Sequence, residues 1–311
     1  MTFLIFASRD EVLERGSGVP GLLAFWAGDY RGDLPFMRGI AEFLLQRGQF
    51  NSAAYGLAVI ARLESALGNL AASTETFARA TAVASRLPVS QYLRVQMTAV
   101  LVDHALTRGE GFESILRVAE DPVAVAALEN RWALAAIKAV AACVHAHEGR
   151  NAEAMQTLAA VLPAIERAVG SAPNYTLMIC LASNILWTLE RTDHIEIIER
   201  NLREKTIAPD FRYPHVDGRL SLARLCALQG RQDEAVEWFA KARTVLDEQD
   251  ARPLRAITDF DEALMYARRG AAGDRERTVR LLDLAVPQFE AIGMPGWLRR
   301  AQELRWRVTG G

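Results

Sequence analysis

Glycine stands at positions 28, 68, 109, 149, 230 and 270, with Glu190 in the one gap, so a turn signal returns every 40 or 41 residues. Glycine enters the left-handed conformation that closes a helix without steric cost. Asn69, Asn151, Asp193, Asp233 and Asp274 follow several of these turns, placed to cap the next helix. A recurrence at this spacing prescribes a stack of similar units, because each unit is too small to bury its apolar face alone.

The stretch LSLARLCALQGRQDEAVEWFAKA (220–242) shows what one unit contains. Leu220, Leu222, Ala223, Leu225 and Cys226 form one helical face before Gly230. Ala235, Val236, Phe239 and Ala242 form another after it. Two such faces across a tight turn make an antiparallel helical hairpin. Seven residues before each turn stand Gly21, Ala61, Val102, Ala142, Ser183, Ala223 and Ala263. Six of these seven are Gly, Ala or Ser, where ordinary usage gives about two. A small side chain there lets neighbouring helices approach closely. Weaker breaks fall near mid-unit, at Gly48, Pro88, Gly170 and Gly293. The spacing predicts two helices per unit, each of about 16–18 residues and roughly 25 Å long.

Composition agrees with a helical, soluble chain. Half of the 311 residues are hydrophobic and 24% are charged. Alanine is abundant, and Val, Ile and Thr rarely alternate with polar residues. The formal net charge is −2, and Lys and Arg are spread along the chain, so no nucleic-acid partner is expected. Cys143, Cys180 and Cys226 lie far apart in apolar segments, which predicts buried, reduced thiols in a cytoplasmic protein. The start, MTFLIFASRDEV, lacks the basic segment and long apolar run of a signal peptide. The most apolar stretch, WALAAIKAVAACV (132–144), carries Lys138 and is too short for a membrane span.

The predicted fold is therefore all-α: one domain over residues 1–311, a right-handed superhelical solenoid of about seven two-helix repeats. A helix at about 295–308 reads as its cap, with Trp297, Leu298, Ala301 and Leu304 on the apolar side. Arg299, Arg300, Glu303 and Arg307 lie mostly off that side, whereas MTFLIF at the other end is apolar. Three irregularities stand out. Pro163 and Pro287 each follow a glycine by 14 residues and are expected to kink or divide a second helix. FESILRVAE (112–120) is short and stops at Asp121-Pro122. APDFRYPHVDG (208–218) is too rich in turn residues to be helix.

The order small residue, glycine turn, alanine, aromatic, alanine in 220–242 resembles the tetratricopeptide (TPR) pattern. ARLESALGNLAASTETFARA matches it at Ala61, Gly68, Phe77 and Ala80, and AACVHAHEGRNAEAMQTLAAV at Ala142, Gly149 and Ala154. The step is longer than the usual TPR step of about 34 residues. In this it is similar to the helical-repeat region of MalT-like regulators, found in bacterial signal-transduction ATPases and LuxR-type transcriptional activators. LLDLAVPQFEAIGMPGWLRRAQEL (281–304) resembles the ending of those regions. The resemblance covers nearly the whole chain and implies a regulatory interaction module, as the repeat region alone or a piece of a larger regulator. No GxxxxGK[ST] phosphate loop occurs, RGSGVPG (15–21) has no lysine after its glycines, and no helix-turn-helix follows residue 304. ATPase activity and DNA binding are therefore not carried over.

Acid–base and metal chemistry find little support. His145 and His147 are two apart on a helix and point to different faces. Cys143 and His145 have the same difficulty as a nucleophile and base. Asp259 and Glu262 read as a solvated helix face. No catalytic residue, metal ligand or cofactor is expected.

A binding stripe is the stronger candidate. The residues one beyond the small positions include Arg62, Asp103, Cys143, Asn184 and Arg224, on the inner side of a curved stack. Trp187 and Tyr55 share that side. Arg62, Asp103, Asn184, Trp187 and Arg224 are the candidate site for a protein or peptide partner or a small effector. The alternative is that Trp187 is core and the polar residues are solvated. Two functions remain open on these residues: an effector-sensing regulatory module, and a passive scaffold that assembles other proteins.

Overall fold

The computed structural model describes residues 28–85, 91–113, 115–116, 131–167, 173–208 and 212–310. The breaks expected at Pro88, Asp121-Pro122 and Gly170, the small position at Gly21 and the start MTFLIF lie outside them. Among the described residues the protein is all-helical, with thirteen α-helices, no strand, and one isolated bridge between Tyr213 and Val216. Helix α1 (Tyr30–Gln46) precedes the hairpin of α2 (Phe50–Ala66) and α3 (Leu70–Ala84), which α4 (Gln91–Arg108) follows. Next come the pairs α5 (Arg131–His147) with α6 (Asn151–Arg167), and α7 (Pro173–Leu189) with α8 (Ile195–Leu202). The pairs α9 (Gly218–Leu228) with α10 (Gln232–Glu248), and α11 (Arg252–Arg269) with α12 (Asp274–Ile292), lead to α13 (Pro295–Thr309).

The turns are built alike. Gly68, Gly109, Gly149, Gly230 and Gly270 have φ between 63° and 79°. At four turns the next amide reaches back across the helix end: Asn69 N to Glu64 O (2.8 Å), Arg150 N to His145 O (2.9 Å), Arg191 N to Leu186 O (3.0 Å) and Arg231 N to Cys226 O (2.9 Å). Each bond satisfies a carbonyl that the helix end leaves open. Glu190 adopts the same left-handed conformation, φ 53°, with a side chain attached. Glu190→Gly is therefore expected to stabilise the protein by about 0.5–1 kcal/mol. The ion pair it removes involves an exposed carboxylate and offsets little of this. A urea midpoint that falls in the variant would show that the strain is not there.

The small positions form the seam. Ala61, Ala142, Ser183, Ala223 and Ala263 are fully buried, and Val102 nearly so. There α2 packs on α4, α5 on α7, and α7 on α9. The Ser183 hydroxyl donates to Ser221 O (2.9 Å) across the α7–α9 contact. On the second helices Phe239, Ala242, Ala285 and Phe289 are buried, as their helical spacing requires.

Two local expectations are corrected. Asp233 does not cap α10; Arg231 holds that position without a side-chain bond to the helix's first amides, and Asp233 lies exposed in the first turn. Pro163 and Pro287 divide neither α6 nor α12, since both helices run through their prolines, which sit on exposed faces. The segment expected to be irregular, 208–218, is so where it is described, up to the first residue of α9. Residues Arg203–Ile207 before it make a π turn. The chain then folds through the Tyr213–Val216 bridge to Asp217, whose carboxylate accepts from Arg219 N (2.8 Å) and Leu220 N (2.9 Å) to cap α9.

The late hairpins return onto the early ones. Arg252, at the start of α11, donates from Nε to Leu67 O (2.7 Å) and from Nη2 to Asn69 Oδ1 (2.9 Å). A guanidinium at the C-terminal end of α2 is favoured by the helix dipole. One hairpin further on, Trp297 Nε1 in α13 donates to Leu106 O near the end of α4 (3.0 Å). Gly296 there abuts the Gly109 carbonyl so closely that a Cβ would overlap it. Helix α13 buries Trp297, Ala301 and Leu304 and exposes Arg299, Glu303 and Arg307. Trp306 on its outer side is also exposed.

Candidate functional site

All five stripe residues are buried: Arg62 is 5% exposed, Asp103 0%, Asn184 8%, Trp187 3% and Arg224 7%. The facing helices consume their polar groups. Arg62 Nε donates to Asp103, joining α2 to α4. Asn184 Nδ2 donates to Cys143 Sγ (3.3 Å), joining α7 to α5. Arg224 donates from Nε and Nη2 to Asp261 Oδ2 (2.8 and 2.6 Å), joining α9 to α11. Trp187 Nε1 donates to Asp261 Oδ1 (2.9 Å), joining α7 to α11.

The fold sorts these residues into two places. Arg62 and Asp103 belong to a closed network under the 212–217 segment. Arg62 also donates to the Tyr213 hydroxyl and stacks on that ring at 5.3 Å, and His215 Nε2 meets Arg62 O at 3.1 Å. Burial works against the Arg62 charge, but Asp103 and Tyr213 hold the guanidinium protonated. Burial pushes His215 down to about 4, so it is neutral at pH 7. Asn184, Trp187 and Arg224 lie elsewhere. The first two line a cavity, and Arg224 stands behind the Asp261 carboxylate that lines it.

That cavity has a volume of about 510 Å³ and is walled by α7, α11 and α13, with His147 from α5. Asn184, Trp187, Phe260, Asp261 and Trp297 form its buried walls. Arg268, Arg300 and His147 are half-buried, and Glu190, Glu303 and Arg307 are exposed at the mouth. Arg268 stacks on Trp187 (4.3 Å to the ring centre), donates to Trp187 O (3.2 Å) and pairs with Glu190 (3.1 Å). Arg300 stacks on Trp297 (4.9 Å) and makes one long bond to Gly109 O (3.4 Å). His147 lies flat against Phe112, ring centres 5.3 Å apart. Burial, with Arg300 and Arg224 nearby, pushes His147 down to about 3. Burial likewise pushes the Cys143 thiol up to about 11. A neutral imidazole and a protonated thiol suit hydrogen bonding more than proton transfer at pH 7.

Phe260, Arg268, Trp297 and Arg300 were not among the expected site residues. The last two read from sequence as cap residues, and only the return of α13 onto α4 brings them to α7. Asp259 and Glu262 require a correction: they are not a solvated face but buried, at 4% and 6% exposure. Arg243 bonds both, at 2.7 Å to Asp259 Oδ1, and Arg255 also pairs with Asp259. Glu199, Cys226 and Glu234 bring ligand atoms within 4.8 Å of one another. Their carboxylates already hold two guanidiniums: Arg203 at 2.7 and 2.6 Å from Glu199 and Glu234, and Arg231 at 2.6 Å from Glu199. Burial pushes the Cys226 thiol up to about 12. Two guanidiniums beside a protonated thiol oppose a cation, so the cluster is an ion-pair network joining α8 to α9 and α10.

No protein-family model matches the chain, and none of the curated proteins matches it. Its class rests on architecture: an all-helical, helical-repeat-like protein whose successive hairpins pack an apolar core crossed by buried polar pairs, with a cavity between α7, α11 and α13. Among the described residues no helix is long and apolar enough to cross a membrane.

Proposed function

We propose that the chain is a right-handed superhelical solenoid of about seven two-helix repeats that acts as a regulatory, effector-sensing interaction module. A small effector enters the cavity, and the outer surface engages a protein or peptide partner in a signalling or transcription-control system of the cytoplasm. The cavity carries this reading. It is of ligand size, and its walls come from helices far apart in the chain. A ligand touching α7, α11 and α13 together would couple occupancy to the relative placement of the hairpins. The likeness of the repeats to MalT-like regions supports the same reading. A non-enzymatic role is supported by the state of the buried reactive groups: carboxylates bonded to arginine, neutral His147 and His215, and protonated thiols. The competing reading, a passive scaffold, draws on Trp306 and Leu284, which are 67% and 57% exposed and offer apolar contact.

Thermal melting separates the two. Under the effector reading, one fraction of a small-molecule extract from native cells raises Tm by about 4 °C at ligand near 100 Kd. Ala267→Phe, which fills the cavity from a half-buried wall position, abolishes that rise and leaves the free protein folded. If no fraction shifts Tm, and partner capture is the same with and without extract, the scaffold reading replaces it.

A further inference from the structure

We propose that the cavity takes a small organic anion with a flat apolar body, its carboxylate or equivalent oxyanion held by Arg268 and Arg300. The inference rests on the effector reading and names the chemical class of that effector. Hydrogen-bond donors in the cavity wall outnumber acceptors. Arg268 Nε and Nη1 are buried and have no hydrogen-bond partner. Arg300 has only the long bond to Gly109 O, and among the described residues no carboxylate lies within ion-pair distance of it. Asp261, the buried carboxylate of the wall, is already taken on both oxygens by Arg224 and Trp187. Glu190 and Glu303 stand at the exposed mouth, where water screens them.

Burial depresses the proton affinity of both Arg268 and Arg300, the mark of cations held without full compensation. An oxyanion supplies the missing acceptors in the geometry a guanidinium fork prefers. A neutral ligand would leave Arg300 without a carboxylate and Arg268 with only the exposed Glu190, and a cation would meet Arg268, Arg300 and Arg307 together. Flatness follows from the rest of the wall. Trp187, Trp297 and Phe260 line the space, and Phe260 and Trp297 meet edge to face at 5.8 Å. Flat rings stack on such walls with little loss of conformational freedom.

Three probes titrated into the full chain test this: indole-3-acetate, its neutral isostere indole-3-acetamide, and inorganic phosphate. The expected result is that the acetate binds about tenfold more tightly than the amide or better. Phosphate, carrying the charge without the flat body, should bind more weakly than the acetate and compete with it. Arg268→Gln and Arg300→Gln should each remove the preference for the acetate over the amide. Arg305→Gln, whose partner is Asp283 outside the cavity, should keep it. The wild-type ratio of acetate to amide decides even where a variant fails to fold. Equal affinities for acetate and amide would overturn the anion assignment and leave the effector cavity standing. If neither probe binds at millimolar concentration the anion assignment fails; the effector reading fails with it only if the cell extract also leaves Tm unchanged.

Discussion

Asp261→Ala is expected to cost about 3–5 kcal/mol of stability, the range for removing one member of a buried ion pair. The carboxylate is 1% exposed and takes all its bonds from buried partners, Arg224 and Trp187. Its loss strands a guanidinium and an indole N–H among α7, α9 and α11. In a chain of this size that corresponds to a fall in Tm of about 5–8 °C. Adding Arg224→Met should recover much of the loss, because an apolar side chain of similar length replaces the stranded charge. Urea denaturation of the single and double variants checks both parts. A single variant that melts like the parent would mean that the pair is not buried in solution.

Gly296→Val acts on the contact between the two ends of the fold. A Cβ at Gly296 would overlap the Gly109 carbonyl, and the neighbour that must give way is backbone. Overpacking of this kind costs about 1–3 kcal/mol, and more where backbone cannot shift. The effect should be local in structure: residues 295–309 lose hydrogen-exchange protection together with Leu106 and its neighbours, while α5 and α6 keep theirs. If protection in α13 is unchanged, the docking of α13 on α4 is not a stable contact. Gly39→Val, on an exposed face of α1 where nothing lies within 4 Å, is the control for valine in a helix alone.

What sequence shows of this molecule is what repeats. Gly68, Gly109, Gly149, Gly230 and Gly270 announce their turns because only backbone conformation decides them. Ala61, Ala142, Ser183, Ala223 and Ala263 announce the seam because close helix approach selects small residues. The shared register of Arg62, Asp103, Asn184 and Arg224, one residue beyond the seam, was legible for the same reason. Their partners were not. Whether Arg224 meets solvent or Asp261 depends on how far one hairpin is rotated on the next, and no single helix records that rotation. Trp297 and Arg300 read as cap residues on larger grounds: they reach the cavity only because α13 comes round to α4. Asp233 shows the reverse error, a good capping residue displaced because the turn closes two residues earlier, at Arg231.

The return of α11 and α13 onto α2 and α4 also sets an order of events during synthesis. The hairpins form from neighbours in the chain, but the Leu106 carbonyl waits for Trp297, which lies 191 residues downstream. At about 5–20 residues per second, a ribosome leaves that site open for roughly 10–40 s. For that interval the nascent chain carries two helix ends with unmet carbonyls and an apolar rim made for a partner not yet translated. A chaperone that shields that rim, and releases it once α13 emerges, would raise the yield of folded protein without altering its final stability.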